Sequence, residues 1–190
     1  MRLRNTRLIL LAVMIRVMSP VNVLSAEVAG AFFDDTYTID NTQLRIAGVG
    51  LLRYMVFVKA YVAAFYLEEG TDPEEALSDI PKRLEIEYFH LIKAEDFVFS
   101  GEKLIAENVE PETIVRLRVR IDRMNALYEH VRPGDRYSLM YIPGKGTQLA
   151  LNGQPKGIIE GADFASAIFS IWLGPRPLSR SLKATLLGKQ

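Results

Sequence analysis

The sequence predicts an α+β fold in which a layer of α-helices packs on a twisted, largely antiparallel β-sheet. Residues 48–70 and 82–91 alternate with the period of two that is typical of strands. Residues 137–159 contain two turn signals between alternating segments, which indicates a meander of three strands. Residues 93–128 and 162–173 instead repeat their apolar positions at helical spacing. A chain of 190 residues can sustain one domain with a hydrophobic core.

The first 26 residues differ in composition from the rest of the chain. They contain no acidic residue, an apolar run from 8 to 15 and small residues at Ser25-Ala26. Their basic residues are Arg2, Arg4, Arg7 and Arg16. This pattern is typical of a secretory signal peptide, and the apolar run is too short to cross a bilayer of ~30 Å. We therefore expect a signal peptide at 1–26, one domain at 27–190, a periplasmic or secreted location and no membrane span in the mature chain. An uncleaved N-terminal helix that anchors the chain to a membrane, or belongs to the fold, is the alternative.

Charge and cysteine content exclude several classes of function. The chain carries 23 basic and 23 acidic residues without a basic stripe, which argues against nucleic acid as a partner. It has no cysteine, so disulfides and thiolate sites are ruled out. His90 and His130 are far apart and lack a metal-binding motif, so neither a metal nor a cofactor is expected. His90 is interpreted as a core residue, with a role as acid or base in a cleft as the alternative.

The N-terminal part of the domain is expected to form short strands. Residues 28–33 and 37–46 have strand character, with turn residues at Asp34-Asp35 and Asp40-Asn41. The glycines of 48–50 are then expected to let the chain bend into the central strands.

The central segment, residues 48–70, has two different faces. Its even positions from 56 to 64 are small and apolar, a surface that suits helices packed closely against a sheet. Its odd positions combine aromatic rings, cations and a phenol, namely Arg53, Met55, Phe57, Lys59, Tyr61 and Phe65. An apolar surface with a few polar groups suits a ligand cleft, so the odd face is the candidate site.

The helices are predicted from apolar spacing and from their end signals. Asp72 followed by a proline is an N-cap pattern, while Pro81 and Gly174-Pro175 are stop signals. The predicted helices span 72–80, 93–108, 114–128, 162–173 and 179–187. One side of the second helix carries Phe97, Gly101, Leu104 and Asn108.

Two segments resemble a known family. Residues 57–68, FVKAYVAAFYLE, resemble the F-x-K-x-[T/Y]-A-x-G-x-Y-L-E segment of the chalcone isomerase superfamily, and residues 168–183 resemble that family's last helices. The resemblance extends roughly from residue 29 to the C-terminus and is closest to the bacterial chalcone-isomerase-like branch. It implies the chalcone isomerase fold, in which an antiparallel sheet and a helical layer enclose a ligand cleft.

The resemblance allows the family's catalytic positions to be carried over one at a time. In the plant enzymes an arginine, a threonine, a tyrosine, an asparagine and a second threonine orient a phenolate for intramolecular Michael addition. The first threonine corresponds to Tyr61 and the asparagine to Asn108, which makes these two the catalytic candidates. The arginine, the tyrosine and the second threonine fall on Val49, Gly101 and Ile171, so chalcone isomerisation is not expected.

The related plant fatty-acid-binding proteins of this superfamily imply a different use of the cleft. They resemble this chain in a G-x-G-x-R start followed by a K-x-Y-A segment, and their arginine and tyrosine hold a fatty-acid carboxylate. The matching residues are Arg53 and Tyr61, and a guanidinium with a phenol makes a good carboxylate clamp. The further ligand-binding candidates are Lys59, Phe57 and Asn108. Candidates for the apolar wall are Met55, Phe57, Phe65 and Trp172.

The expected function is that of an exported, non-catalytic protein that binds a fatty acid or a similar amphipathic carboxylate, with a flavonoid-like molecule as the other ligand class. One alternative is an intramolecular lyase or isomerase with an altered site made of Tyr61, Asn108 and Arg53. Another is a scaffold protein whose own side chains fill the cleft. In a purely structural interpretation Arg53 lies in solvent, Lys59 extends out of the cleft and Tyr61 belongs to the core. The oligomeric state is left open.

Overall fold

A computed structural model describes residues 25–39, 41–54 and 57–189. Within these ranges the chain forms nine strands, four α-helices and one 3₁₀ turn, Pro73–Glu75. The strands are β1 Ser25–Val28, β2 Ala31–Asp34, β3 Thr36–Ile39, β4 Thr42–Tyr54, β5 Val58–Glu68, β6 Lys82–Tyr88, β7 Arg136–Ile142, β8 Gly146–Leu151 and β9 Gln154–Ile159. The helices are α1 Ala94–Asn108, α2 Pro111–Asn125, α3 Ala162–Leu173 and α4 Arg180–Leu186. Most of the expected signal peptide, residues 1–24, lies outside the described residues, as does Met55.

The strands β3 to β9 form one antiparallel sheet in which their spatial order equals their order in the chain. The sheet is a meander, and the connection from β6 to β7 contains α1 and α2. Ion pairs connect β6 and β7, because Arg136 of β7 pairs with two glutamates of β6, Glu85 at 3.3 Å and Glu87. The antiparallel sheet and the three-stranded meander β7–β9 are as the sequence predicts.

The two faces of β5 pack against different parts of the molecule. Tyr61 and Phe65 point into the larger core, which the helices cover, while Val62 and Tyr66 point into a smaller core with Phe33 of the β1–β2 hairpin. The alternation is therefore as predicted, but the expectation that the helices pack on the small even-numbered face is wrong. The large odd-numbered side chains fill the space beneath the helices, whereas the small side chains of Val62 and Ala64 accommodate the two-stranded hairpin.

The chain reverses at Ala29-Gly30, inside a segment that the sequence predicts to be one strand. Both residues have positive φ angles, 57° and 93°. The reversal pairs Val28 with Ala31 and makes β1 and β2 a hairpin. Gly30 is the local signal for this turn, since glycine adopts a positive φ at little cost.

Glycines allow helix α4 to lie directly on strand β4. A Cβ atom at Gly48 would be 2.0 Å from the carbonyl oxygen of Thr185, and one at Gly50 would be 2.6 Å from the side chain of Leu182. Neither glycine has a positive φ angle. Their role is therefore close approach between backbone and helix, rather than the bend that the sequence suggests.

The helix expected over 72–80 is reduced to the 3₁₀ turn. The carboxylate of Asp72 accepts a hydrogen bond from the Glu74 backbone N–H at 2.9 Å, as an N-cap does. The carbonyls of Ala76 and Ser78, however, accept hydrogen bonds from the buried ammonium of Lys82, the first at 2.9 Å. These carbonyls therefore accept hydrogen bonds from the lysine and not from the backbone N–H groups of a further helical turn.

We expect stability to rise with pH above about 8 because of Lys82. Burial lowers the pKa of this lysine from 10.5 to about 8. Between these two values the unfolded chain binds more protons than the native protein, so raising the pH favours the native state. The midpoint of urea unfolding should therefore increase from pH 8 to pH 9, which is below the range in which the tyrosines of the unfolded chain ionise, and it should not increase in Lys82→Met. A rise of equal size in both proteins would contradict this assignment.

His90 is exposed, which corrects its interpretation as a core residue. Strand β6 ends at Tyr88, so the alternation does not continue to residue 90. The other histidine, His130, accepts a hydrogen bond at its Nδ1 from the Ala94 backbone N–H at 2.8 Å, at the start of α1.

No helix in the described residues combines the length and the apolar character that a membrane crossing requires.

Candidate ligand-binding site

A cavity of about 840 Å³ lies between one end of the central strands and helices α1 and α3. This volume is within the ~300–1,000 Å³ that is usual for small-molecule sites. Its aromatic lining residues are Tyr54, Tyr61, Tyr88, Phe97, Phe99, Tyr128 and Trp172, and its aliphatic ones are Ile92, Leu104, Ile171 and Leu178. The surface offered to a ligand is therefore largely apolar.

The cavity contains little charge. Asp96 is the only acidic side chain among the lining residues that the structure describes, and one of its oxygens accepts a hydrogen bond from the Lys93 backbone N–H at 3.2 Å. Lysine, arginine and histidine do not occur among these lining residues. Polar recognition in this cavity consequently depends on uncharged hydroxyl groups, chiefly phenols.

Tyr61 is the central polar group of the cavity. It projects from β5, is almost fully buried, and accepts a hydrogen bond at its hydroxyl oxygen from Trp172 Nε1 at 3.0 Å. Its own O–H has no acceptor within the described part of the chain, so it can donate to a ligand. Burial raises the pKa of this phenol well above its usual value, although the Trp172 hydrogen bond opposes the shift. Tyr61 therefore stays protonated, as a hydrogen-bond donor, at neutral pH.

A cluster of aromatic rings continues the wall from Tyr61. The Tyr61 ring meets that of Tyr88 edge-on at 5.7 Å, and Tyr88 meets Phe97 at 5.5 Å. Phe97 stacks on Tyr128 at 5.4 Å. Such pairs each contribute about 0.5–1.5 kcal/mol beyond the area they bury, so the contacts between the rings stabilise the wall.

The hydroxyls of Tyr88 and Tyr128 are two further donors. Neither has a hydrogen-bond partner among the residues that the structure describes, and burial raises the pKa of both phenols. Tyr137, behind them, is different because its hydroxyl donates to the Glu129 carbonyl at 3.1 Å and accepts from the Glu129 N–H at 2.7 Å. The cavity thus has phenol donors at several points of an otherwise apolar wall.

Comparison with known proteins relates this chain to a family. The model of a family described as chalcone isomerase-like matches residues 25–188. The chain belongs to the chalcone isomerase-like family. No curated protein sequence matches it.

The fold of this chalcone isomerase-like chain is also similar to a solved structure. The crystal structure of the Arabidopsis thaliana fatty-acid binding protein AtFAP1 matches with a TM-score of 0.67, over 86% of this chain and 96% of that one. The two sequences are 13% identical, so the match establishes the fold. The chalcone isomerase type of α+β fold predicted from the sequence is confirmed.

The structure brings some of the sequence-predicted site residues to the cavity and leaves others away from it. Tyr61 and the wall candidate Trp172 line it, and they are hydrogen-bonded to each other. Phe65 is fully buried in the core, where its ring meets that of Phe169 at 6.5 Å.

The cationic candidates Arg53 and Lys59 lie outside the lining. They face each other across the β4–β5 pair, near its turn, and both are exposed. Phe57 is exposed in that turn. The odd-number pattern holds along β5 but does not continue into β4, because the chain turns between the strands and the register shifts between Leu52 and Arg53.

Asn108 holds together two parts of the backbone and does not line the cavity. Its amide nitrogen donates to the carbonyls of Leu104 and Arg176, both at 2.8 Å, and its amide oxygen accepts from the Arg176 N–H at 2.8 Å. These bonds tie the end of α1 to the loop after α3. The ligand and catalytic roles assigned to Asn108, like those of Arg53, Lys59 and Phe57, stay predictions.

Two other positions carried over from the family do meet at the cavity. Gly101 and Ile171 both line it, and a Cβ atom at Gly101 would lie 3.9 Å from Ile171 Cδ1. The resemblance implies a tyrosine at position 101 and a threonine at position 171. Gly101 has no side chain there, and Ile171 has an alkyl group. The residues present enlarge the cavity and make it more apolar.

Sequence reasoning missed the contributions of Tyr88 and Tyr128. Tyr88 lies on the buried face of β6, and Tyr128 follows α2, so neither position indicates a ligand by itself. The side of the helix that carries Phe97, Gly101 and Leu104 was a usable signal, since all three line the cavity.

Among the described residues, no three or more histidine, aspartate and glutamate side chains are grouped so that they could hold a metal ion.

Proposed function

We propose that this chain binds a fatty acid, or a similar amphipathic molecule with a long apolar part, in the cavity beside Tyr61. The observation that carries the proposal is the 840 Å³ cavity of aromatic and aliphatic side chains in which the Tyr61 hydroxyl can still donate a hydrogen bond. The similarity to AtFAP1, a fatty-acid binding protein, supports this ligand class.

The head group of the ligand is placed at Tyr61 and its tail along the aromatic wall. A carboxylate accepts hydrogen bonds only, and a protonated phenol supplies the donor that it requires. The tail replaces water along Phe97, Leu104 and Ile171, at about 25 cal/mol for each Å² of apolar surface buried. Tyr88 and Tyr128 provide additional donors for a ligand with a second polar group.

We also propose that the protein is exported and non-catalytic. The composition of residues 1–26 supports export, which N-terminal sequencing of the chain purified from cells checks. The absence of a hydroxyl at Gly101 and Ile171 supports a binding role over chalcone isomerisation. The open cavity favours binding over a scaffold role, because the described side chains do not fill the cleft.

The first experiment identifies the natural ligand and measures fatty-acid uptake. Organic extraction of the purified chain, followed by mass spectrometry, should release a long-chain carboxylate in near-stoichiometric amount. Because Trp172 is the single tryptophan and lines the cavity, its emission should also be transferred to the fluorescent fatty acid cis-parinaric acid. A protein that co-purifies with no ligand and does not take up this probe lacks the proposed function.

Tyr61→Phe should weaken the binding of cis-parinaric acid. A hydrogen bond to a charged group is worth about 1.5–3 kcal/mol, which corresponds to a rise in Kd of roughly 10- to 150-fold. Titration of the probe against the variant measures this change.

The matched control for this variant is Tyr66→Phe. Tyr66 lies on the same strand, but it points into the smaller core on the other face of the sheet. The control should retain its affinity for the probe. Equal affinities of Tyr61→Phe and the unmodified chain would remove Tyr61 from the head-group site.

A further inference from the structure

Large apolar side chains surround the mouth of the cavity and are exposed. Tyr54, Phe99 and Leu178 line the cavity and also face solvent, with 65% and 76% of the surface of Tyr54 and Phe99 accessible. Phe57, in the turn between β4 and β5, is 87% exposed, and Val58 beside it is also exposed. We call these five residues, Tyr54, Phe57, Val58, Phe99 and Leu178, the mouth patch. Clustered exposed apolar residues of this size mark an interaction surface.

Two cations flank the mouth patch at the β4–β5 turn. Arg53 and Lys59 are opposite each other in the strand pair, and both side chains are exposed. The sequence from 53 to 59 contains no acidic residue. The turn therefore presents aromatic and aliphatic groups between two positive charges.

We propose that the mouth patch docks on the surface of an anionic phospholipid bilayer, from which the ligand enters the cavity. Aromatic side chains such as Tyr54, Phe57 and Phe99 are favoured at the boundary between head groups and acyl chains. Arg53 and Lys59 are complementary to the negative surface of such a membrane. Their charges favour a bilayer over an uncharged apolar protein surface.

The position of the mouth patch beside the cavity is a further reason to expect a bilayer there. Three of its residues are also walls of the cavity, so a membrane that contacts them lies directly at the opening. A long-chain ligand dissolves poorly in water and well in a bilayer, so docking here spares the ligand a passage through water. The purpose of the docking rests on the proposed function, whereas its existence can be tested without any fatty acid.

The test uses tryptophan as a local probe of membrane contact in the full chain. Phe57→Trp is mixed with vesicles of phosphatidylglycerol and phosphatidylethanolamine that carry bromine atoms on their acyl chains, which quench nearby indoles. Phe32→Trp is the matched control, because Phe32 is 55% exposed on β2, on the other side of the sheet from the helices. The unmodified chain gives the baseline from Trp172. Because quenching reports the immediate surroundings of the indole, attachment of the chain elsewhere does not imitate the signal.

We expect at least a twofold loss of emission above baseline for Phe57→Trp and no loss for Phe32→Trp. The loss should shrink in neutral phosphatidylcholine vesicles, at high salt, and when Arg53→Gln and Lys59→Gln are added to Phe57→Trp. Absence of quenching at position 57, or equal quenching at positions 57 and 32, would overturn the proposal and favour a protein partner for the patch. Uptake of cis-parinaric acid by the same variants without vesicles shows separately whether the binding function is intact.

Discussion

Replacing Gly101 by phenylalanine is expected to abolish the uptake of cis-parinaric acid while the fold stays intact. Gly101 lies in α1 and lines the cavity, and a Cβ atom at this position makes only an ordinary contact with Ile171 Cδ1, at 3.9 Å. A benzyl group therefore extends into the space assigned to the ligand tail. Each 100 Å² of apolar contact that the ligand loses costs about 2.5 kcal/mol, or roughly 70-fold in affinity. Titration with the probe and circular dichroism measure the two effects.

Gly101→Ala is the control for this variant. The methyl group fits the available space, so affinity should be unchanged, and the helix should gain about 0.5–1 kcal/mol from the loss of a glycine. If Gly101→Phe binds the probe as tightly as the unmodified chain, the ligand does not occupy the cavity between α1 and α3, and the proposed site is wrong.

Gly48→Ala is expected to destabilise the protein by about 3 kcal/mol or more. The new Cβ atom would lie 2.0 Å from the carbonyl oxygen of Thr185 and 2.8 Å from that of Leu186. Both are backbone atoms, so α4 must move as a unit and expose part of its buried leucines. Overpacking usually costs about 1–3 kcal/mol, and the loss of buried leucine contacts adds to it. Urea denaturation measures the change.

Gly50→Ala is the comparison for Gly48→Ala, because its methyl group meets a side chain of α4 and not the backbone. Its Cβ atom would be 2.6 Å from the Cδ1 atom of Leu182, which belongs to a flexible side chain and can move away. The loss of stability should therefore be clearly smaller than for Gly48→Ala. If Gly48→Ala were as stable as the unmodified chain, α4 would not depend on close contact with β4.

Much of the fold could be predicted from local signals in the sequence. Helix α3 has the predicted bounds, because its apolar spacing is clear and Gly174-Pro175 follows it. The β8–β9 turn was signalled by Asn152-Gly153, which both have positive φ angles. Periodicity shows which residues are buried, but not what covers them. This is why the β1–β2 hairpin was not expected on the even-numbered face of β5.

The site was predictable to a smaller extent, because its residues are brought together by the fold. Tyr61 was found because strand alternation places it on the large-residue face of β5. Arg53 was assigned to the same face, although a turn and a register shift separate the two residues. Asn108 has the residue type of a functional group, yet its contacts are with the backbone of a distant loop. Such pairings depend on contacts between remote segments, which no local pattern contains.

The continuous meander also determines the order in which the sheet can be completed while the chain is being synthesised. From β4 to β6, each strand pairs with the strand synthesised just before it. The other edge of β6 has no partner until residues 89–135 have been made and β7 follows. During this interval its free edge is open to pairing with other chains, a known hazard for nascent proteins. Strand β6 carries Lys82 and Arg83 as well as Glu85 and Glu87, and Arg83 pairs with Glu85 at 2.9 Å, so the charges along this strand are mixed. Arg136 of β7 then adds ion pairs with Glu85 and Glu87, which favour β7 as the partner of this free edge.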